Sequence, residues 1–202
     1  GGRATVMRWS GSAWITVGPP GFSAGLAYFP SLVIASDDNP IVAYQDMGNA
    51  GRTTVARWNG TTWTTVGAAG ISVGAAKYQS LSIDANGNPA VAYADQSYGN
   101  RTTVMRWDGS TWNTVGTPGF MAGPTSESNS WLKIDAQGNL VVASASGPLF
   151  VKRYLNTAVT VGAVAAPLCA GSETDVPYTA AGIYNTNNTF TAQLSDATGS
   201  FA

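Results

Sequence analysis

The chain has 202 residues, with ten Lys and Arg, eleven Asp and Glu, one Cys and no His. Its formal net charge of −1, without a basic cluster, argues against nucleic acid or an anionic membrane surface as a partner. The lack of His excludes the usual Ser or Cys triads and imidazole metal ligands, which leaves carboxylates as the catalytic candidates. We therefore predict no cofactor and no metal site.

A repeat of 49 residues organises most of the chain. The block Arg3–Gly18 recurs as Arg52–Gly67 and again as Arg101–Gly116, each time with two Trp at the same spacing. A second shared stretch, Leu32–Asp46, recurs as Leu81–Asp95. Self-similarity at such a period indicates a repeat architecture, in which each unit buries its apolar faces against its neighbours.

Four segments of each period are rich in β-branched and aromatic residues and are separated by turn residues. In the second repeat the predicted strands are Ser80–Asp84, Ala90–Asp95, Arg101–Trp107 and Thr111–Val115. Four antiparallel strands in 40 to 50 residues are typical of one blade of a β-propeller. The alternative is an array of β-sandwiches, but the fixed register of the Trp pair favours the propeller.

The blades can be counted along the chain. Residues 1–18 supply two strands, residues 31–67 and 80–116 supply whole blades, and residues 130–162 supply a degenerate blade, about three and a half in all. The last blade has Tyr154 and Ala158 where the two Trp stood. A closed ring needs about four to eight blades. We therefore expect a piece of a larger protein or an oligomer, with the rest of the parent chain or a large partner covering the open blade edges.

Residues 166–202 depart from the repeat. Three segments resemble the start of an Ig-like module found in large secreted and surface proteins of gliding bacteria with type IX secretion. They are 168–172 (Leu-Cys-Ala-Gly-Ser), 176–179 (Val-Pro-Tyr-Thr) and 188–201, which ends in Asp-Ala-Thr-Gly-Ser-Phe. The Trp-x-Gly-x-x-Trp blocks are similar to kelch-like bacterial propeller repeats. The predicted fold class is thus all-β: a partial β-propeller at 1–165 and a truncated Ig-like β-sandwich module at 166–202.

The resemblance implies export, contact with the secretion machinery, and a secreted or cell-surface location. In an exported protein, Cys169 is expected to pair with a Cys beyond residue 202.

Ligand-binding candidates lie in the long connections between blades, at 19–30, 68–79 and 117–130, because variable loops on a rigid scaffold often carry binding residues. Their aromatic and charged members suit stacking on a sugar ring or a peptide side chain. These candidates are Tyr28, Phe29, Lys77, Tyr78, Phe120, Met121 and Glu127. The alternative is that the aromatics seal the contacts between blades. The repeated Trp residues are assigned to packing between blades.

The repeated carboxylates are interpreted as structural. Asp46 precedes Arg52, and Asp95 precedes Arg101, by six residues across the same connection, so we predict two structural ion pairs. The segment 84–88 resembles a calcium loop only loosely, because the further oxygen ligands are missing, and it is predicted to be a turn.

The sequence therefore favours a noncatalytic propeller region of a large exported protein, binding a glycan or a surface protein through the face that carries the long loops. Two alternatives remain open. One is a carbohydrate-active enzyme that uses Asp46, Asp95 or Glu127, and the other is a scaffold without a ligand.

Overall fold

The computed structural model describes residues 2–120, 130–144, 150–155, 158–161 and 178–181. Two complete four-stranded antiparallel sheets follow each other along the chain, with their strands in sequence order. Blade 1 consists of β3 (Ala27–Ile34), β4 (Pro40–Asp46), β5 (Arg52–Trp58) and β6 (Trp63–Thr65). Blade 2 consists of β7 (Ala76–Ile83), β8 (Pro89–Asp95), β9 (Arg101–Trp107) and β10 (Trp112–Thr114).

Smaller sheets flank the two complete blades. A half-blade of β1 (Met7–Trp9) and β2 (Trp14–Thr16) precedes them, and blade 3, with β11 (Ser130–Ile134), β12 (Leu140–Ser144) and β13 (Phe150–Tyr154), follows them. Single 3₁₀ turns, Met47–Asn49 and Gln96–Tyr98, connect the second and third strands of blades 1 and 2. The all-β class and the four-stranded repeat are thus confirmed.

The second strand of each complete blade carries the core. Strands β4 and β8 are buried over their whole length, because each is hydrogen bonded on both sides within its sheet and covered by neighbouring sheets. Ile41, Val55, Leu81, Val91 and Tyr93 belong to one cluster of buried side chains that joins blades 1 and 2. Burying such side chains against neighbouring units is what stabilises a repeat architecture.

Serine hydroxyls connect the first strands of successive blades. The Oγ of Ser31 in β3 accepts a hydrogen bond of 2.9 Å from the backbone N–H of Leu81 in β7. One period later, the Oγ of Ser80 accepts from the N–H of Leu132 in β11, also at 2.9 Å. The first strand of each blade is therefore innermost, and it contacts the first strand of the next blade.

The Trp pairs close the contacts between neighbouring blades, which we call seams. In seam 1, between the half-blade and blade 1, the indole N–H of Trp63 donates to the carbonyl of Val17 at 2.8 Å. In seam 2, between blades 1 and 2, Trp112 donates in the same way to Val66 at 2.7 Å. The packing role predicted for the repeated Trp residues is confirmed for the pairs of blades 1 and 2, whereas Trp9 and Trp14 of the half-blade are 55% and 64% exposed.

The described residues leave one face of blade 1 uncovered. Leu32 is 46% exposed, whereas its counterparts Leu81 and Leu132 are 3% and 0% exposed. The described half-blade has only its two outer strands, so no inner strand of it lies beside β3. Ile34, 54% exposed, lies on the same strand.

The chain divides into two compact units, Gly1–Tyr154 and Leu155–Ala202. The segment predicted as the fourth strand of the last blade, β14 (Ala158–Val161), pairs instead with β15 (Tyr178–Ala181). Blade 3 is therefore described with three strands, so the sheet of the degenerate blade predicted at 130–162 does not include 158–161. The remainder of the predicted Ig-like module lies outside the described residues and stays a prediction.

Candidate functional site

Two kinds of connection lie at opposite ends of the blades. The hairpins 35–39, 59–62, 84–88 and 108–111 lie at one end, and the 3₁₀ connections 47–51 and 96–100 lie at the other, together with the longer connections 17–26 and 66–75 between sheets. We call the end that carries these longer connections the long-loop face. The site candidates that the structure describes lie at this face or on strands that begin or end there.

The strands place four of the sequence candidates differently from the prediction. Tyr28, Phe29, Lys77 and Tyr78 were expected in loops, but they lie within β3 and β7. Each strand contains a register shift there, after Tyr28 and after Lys77. The loop prediction for these residues was wrong, because the strand begins before the bulge and resumes after it.

An aromatic pair forms at these bulges. The rings of Phe29 and Tyr78 have centroids 4.8 Å apart and are tilted by 57°. Both residues have positive φ, 49° and 57°, a region that bulky side chains seldom adopt. Such strain is maintained only where the surrounding structure enforces it, and it is concentrated at ligand-binding and active sites.

A recess opens beside this pair, and we call it the axial recess because the innermost strands line it. Its volume is about 260 Å³. Trp131 of β11, 53% exposed, contributes a third aromatic ring. The remaining lining residues are uncharged, namely Pro30, Ser31, Gln79, Ser80 and Ser130.

Gln79 adds an unusual polar group to the lining. It is 7% exposed, and its amide nitrogen donates to Thr53 Oγ1 at 3.2 Å and to the Ala76 carbonyl at 3.0 Å. Its Oε1 atom is buried and has no hydrogen-bond partner in the described part of the chain. A buried acceptor without a donor is costly, and such atoms are common at functional sites.

The other candidates are not brought into this recess. Phe120 packs against the core between blades 2 and 3, with the Lys152 ammonium 5.2 Å from its ring centroid. It therefore follows the alternative in which loop aromatics seal a seam. Lys77 is exposed on β7, and Met121 and Glu127 lie outside the described residues.

The aspartates at the ends of β4 and β8 are caps of the 3₁₀ turns. Asp46 accepts hydrogen bonds from the Gly48 N–H at 3.0 Å, the Asn49 amide at 2.7 Å and the Thr54 hydroxyl at 3.1 Å. Asp95 accepts from the N–H groups of Ser97 and Gly74, and its Oδ2 atom is buried without a partner.

The partners predicted for these aspartates are therefore wrong. Strand register places Asp46 opposite Arg52 and Asp95 opposite Arg101, but neither pair forms a salt bridge among the described residues. The buried carboxylates, each at most 1% exposed, accept from nearby turn donors, while both Arg residues are exposed.

The described salt bridges lie at the opposite end of the blades. Asp37 pairs with Arg57 at 2.7 Å, Asp84 with Arg106 at 2.8 Å, and Asp135 with Arg153 at 2.6 Å. Burial works against ionisation of Asp84, but Arg106 and the N–H groups of Asn88 and Asn86 bring its pKa below the usual value. These bonds define 84–88 as a turn, and no cluster of metal-ligating residues occurs among the described residues.

A second recess on the long-loop face distinguishes blade 2 from blade 1. Tyr98 replaces Asn49 of the preceding repeat, so the amide that caps Asp46 has no counterpart at Asp95. Half-buried Tyr98 and exposed Arg101 line this space of about 460 Å³ together with Gly99, Pro118 and Gly119. Sequence reasoning missed this recess, although alignment at 49 residues shows the Asn-to-Tyr change.

Trp131 was also missed. It occupies the position of Ser31 and Ser80, but the spacing between the second and third copies is 51 residues rather than 49, as the Leu81 and Leu132 positions show. Aligning the strands rather than the sequence period brings it into register with those serines. Among the described residues, no helix is long and apolar enough to cross a membrane.

Comparison with known proteins shows the fold. No family model and no curated protein matches the chain. A lectin of Aleuria aurantia, solved with α-methyl-L-fucoside, matches with a TM-score of 0.52 and 18% identity, over 76% of this chain and 50% of the lectin. Another structure of that lectin, described as a six-bladed β-propeller, matches with a TM-score of 0.51 and 19% identity, over 74% and 49%.

A fucose lectin of Kordia zhangzhouensis matches with a TM-score of 0.42 and 17% identity, over 58% of this chain and 83% of that one. The chain spans about half the length of the Aleuria lectin structures. The two Aleuria comparisons show that the described sheets resemble part of a β-propeller.

Proposed function

We propose that this chain binds carbohydrate without transforming it, and that the axial recess is the binding site. The observation that carries the proposal is the strained pair Phe29 and Tyr78, held 4.8 Å apart beside exposed Trp131. Flat aromatic rings stack on the apolar face of a sugar, while hydroxyl and amide groups satisfy its hydroxyls. The half-buried Ser31 and Ser80 supply hydroxyl groups here.

The absence of charge in the described lining favours a neutral sugar. A charged ligand buried in this recess would lose hydration without gaining an opposite charge, whereas sugar hydroxyls both donate and accept. The Aleuria lectin structures with a similar fold hold α-methyl-L-fucoside and Fucα1-6GlcNAc. A fucoside is therefore the first ligand to test, followed by a panel of neutral and acidic glycans.

The test is titration of the full chain with this panel by calorimetry. Tyr78→Ala and Trp131→Ala should each weaken glycan binding by about 10-fold or more, as truncating a central aromatic contact usually does. Trp14→Ala is the matched control, since Trp14 is 64% exposed but lies outside this recess. Affinity that is unchanged in both recess variants would refute the axial site.

A substitution taken from the preceding repeat tests the Tyr98 recess. Tyr98→Asn restores the residue of the preceding blade and should let the new amide reach Asp95, as Asn49 reaches Asp46. If glycan affinity falls in Tyr98→Asn but not in Tyr78→Ala, the sugar binds in the Tyr98 recess rather than in the axial recess.

A catalytic role for Asp46 or Asp95 receives no support from their surroundings. Both carboxylates are buried and cap turns, so a general acid or base there would not reach a substrate without rearrangement. Incubation of the chain with a polysaccharide panel tests this point. Turnover that is lost in Asp95→Asn would replace binding with catalysis as the proposed function.

We also propose that the chain belongs to an exported protein of the cell surface or medium, where glycan binding serves adhesion. The support is the resemblance of 168–172 and 188–201 to the Ig-like module of type IX secretion substrates. Immunoblots of the outer membrane and medium, with and without a working type IX system, test this. Retention in the cytoplasm of both strains would refute it.

A further inference from the structure

Seam 3, between blades 2 and 3, differs from the two seams before it. In seam 1 a Cβ on Gly18 would overlap the Trp58 ring, and in seam 2 a Cβ on Gly67 would overlap the Trp107 ring. The ring of each Trp therefore lies directly on a glycine of the preceding blade. At the corresponding Gly116, no atom of the described residues lies within 4 Å of the Cβ position.

The sequence explains why the place is empty. Tyr154 occupies the position of Trp58 and Trp107 in the repeat, and it is 52% exposed rather than packed on Gly116. The second Trp of the pair aligns with Ala158, so no indole of the described chain donates to the Val115 carbonyl, as Trp63 and Trp112 donate to Val17 and Val66.

A cavity of about 220 Å³ lies at this place. Most of its lining is apolar, and Lys152 and Arg153 are its charged members. The lining residues are Val104, Val115, Gly116, Thr117, Phe120, Leu140, Val142, Lys152, Arg153 and Tyr154. An apolar cavity of about 150 Å³ is large enough to stay dry and bind benzene. The seam 3 cavity therefore has the size and lining to hold an aromatic ring.

We propose that seam 3 is a binding site for a small aromatic molecule that carries one N–H or O–H donor. Seams 1 and 2 show what such a site holds, because there one indole of each Trp pair lies on a glycine and the other donates its N–H to the neighbouring carbonyl. The ligand would lie on Gly116 and donate to the Val115 carbonyl. This site is separate from the axial recess, with which it shares no lining residue.

Indole is the probe, and the experiment uses the full chain with ¹⁵N labels. We expect saturable shifts of the Gly116 and Thr117 amides, with a Kd on the order of 0.1 to 1 mM for so small a ligand. Benzofuran has the same shape with an oxygen in place of the N–H, so it should bind about 3- to 10-fold more weakly. Equal affinity for the two would refute the hydrogen bond to Val115.

Gly116→Asn tests the location. Gly116 has φ of 68°, which Asn tolerates, and its Cβ direction is empty, so the variant should fold and block the ring. We expect indole affinity to fall at least 10-fold. Gly87→Asn is the matched control, because Gly87 has φ of 78° and open space but lies in a hairpin. The proposal fails if indole does not bind at all, or if it binds Gly116→Asn as well as the parent chain.

Discussion

Seam 2 and the open face of blade 1 are built from the same residues of the repeat, yet their environments are opposite. Leu81 is 3% exposed in seam 2, whereas Leu32 is 46% exposed on the open face. Trp112 donates its indole N–H to the preceding blade, whereas Trp14 in the half-blade is 64% exposed. Identical positions in a repeat therefore contribute differently to stability, because the contribution depends on whether a neighbouring blade is present.

The largest expected effect is at the Trp pair. Trp112→Ala should lower the free energy of unfolding by about 3 to 5 kcal/mol, because it removes a packed ring and leaves the Val66 carbonyl without its donor. Trp14→Ala should cost less than about 1 kcal/mol, as expected of an exposed side chain. Urea unfolding followed by fluorescence measures both, and equal losses would contradict the comparison.

The leucine pair gives the next effect. Leu81→Ala should cost about 2 to 5 kcal/mol, because it leaves a cavity in the cluster that joins blades 1 and 2. Leu32→Ala, at the same position on the open face, should cost at most about 1 kcal/mol. A large loss in Leu32→Ala would mean that another part of the protein covers this face in solution.

The ion pairs at the opposite end provide a smaller contrast. The Asp84 side chain is 4% exposed, whereas that of Asp37 is 47% exposed. Asp84→Asn should therefore cost about 1 to 3 kcal/mol, because the buried turn loses a charged acceptor. Asp37→Asn should cost less than Asp84→Asn, because exposed ion pairs contribute little to stability. Thermal unfolding at pH 7 separates the two, and a larger loss in Asp37→Asn would contradict the burial argument.

Acid unfolding gives the smallest effect. A hydrogen bond from Asn39 and the ion pair with Arg57 lower the pKa of Asp37 to about 2. A hydrogen bond from Asn139 and the ion pair with Arg153 lower the pKa of Asp135 to about 2 in the same way. The unfolded value is about 3.9, so each group stabilises the fold above that pH and loses this contribution as the pH falls through about 2. Unfolding midpoints measured from pH 5 to pH 2 should fall, and Asp37→Asn should flatten the slope. An unchanged slope in Asp37→Asn would show that Asp37 does not contribute to the pH dependence of unfolding.

Much of the fold could be predicted from the sequence, because strand and turn signals are local and the repeat shows them several times. The predicted strand Arg101–Trp107 agrees with β9 residue for residue, and Gly87 and Gly109 adopt the positive φ that their turns require. The Asp46 partner was predicted wrongly because opposition in strand register does not determine which donor a side chain reaches. Asn49, three residues away, bonds to Asp46 within the same turn.

The candidate site was predicted only in part. Sequence reasoning selected Phe29 and Tyr78, but their contact joins residues 49 positions apart on different sheets, and a bulge places both rings at strained backbone. Trp131 and Gln79 lie in the same recess only because the innermost strands of successive blades are neighbours.

The sequence by itself determined the all-β class, the repeat, its turns and the residues that form the Trp pairs, since these follow from spacing and local conformational preference. Only the tertiary structure decided which copy of each repeated residue is buried and which seam has room for a ligand. Leu32 and Leu81 are the same residue in the same local sequence, as are Gly67 and Gly116. Burial and packing arise between sheets, so they depend on the neighbouring blade and not on the residue alone.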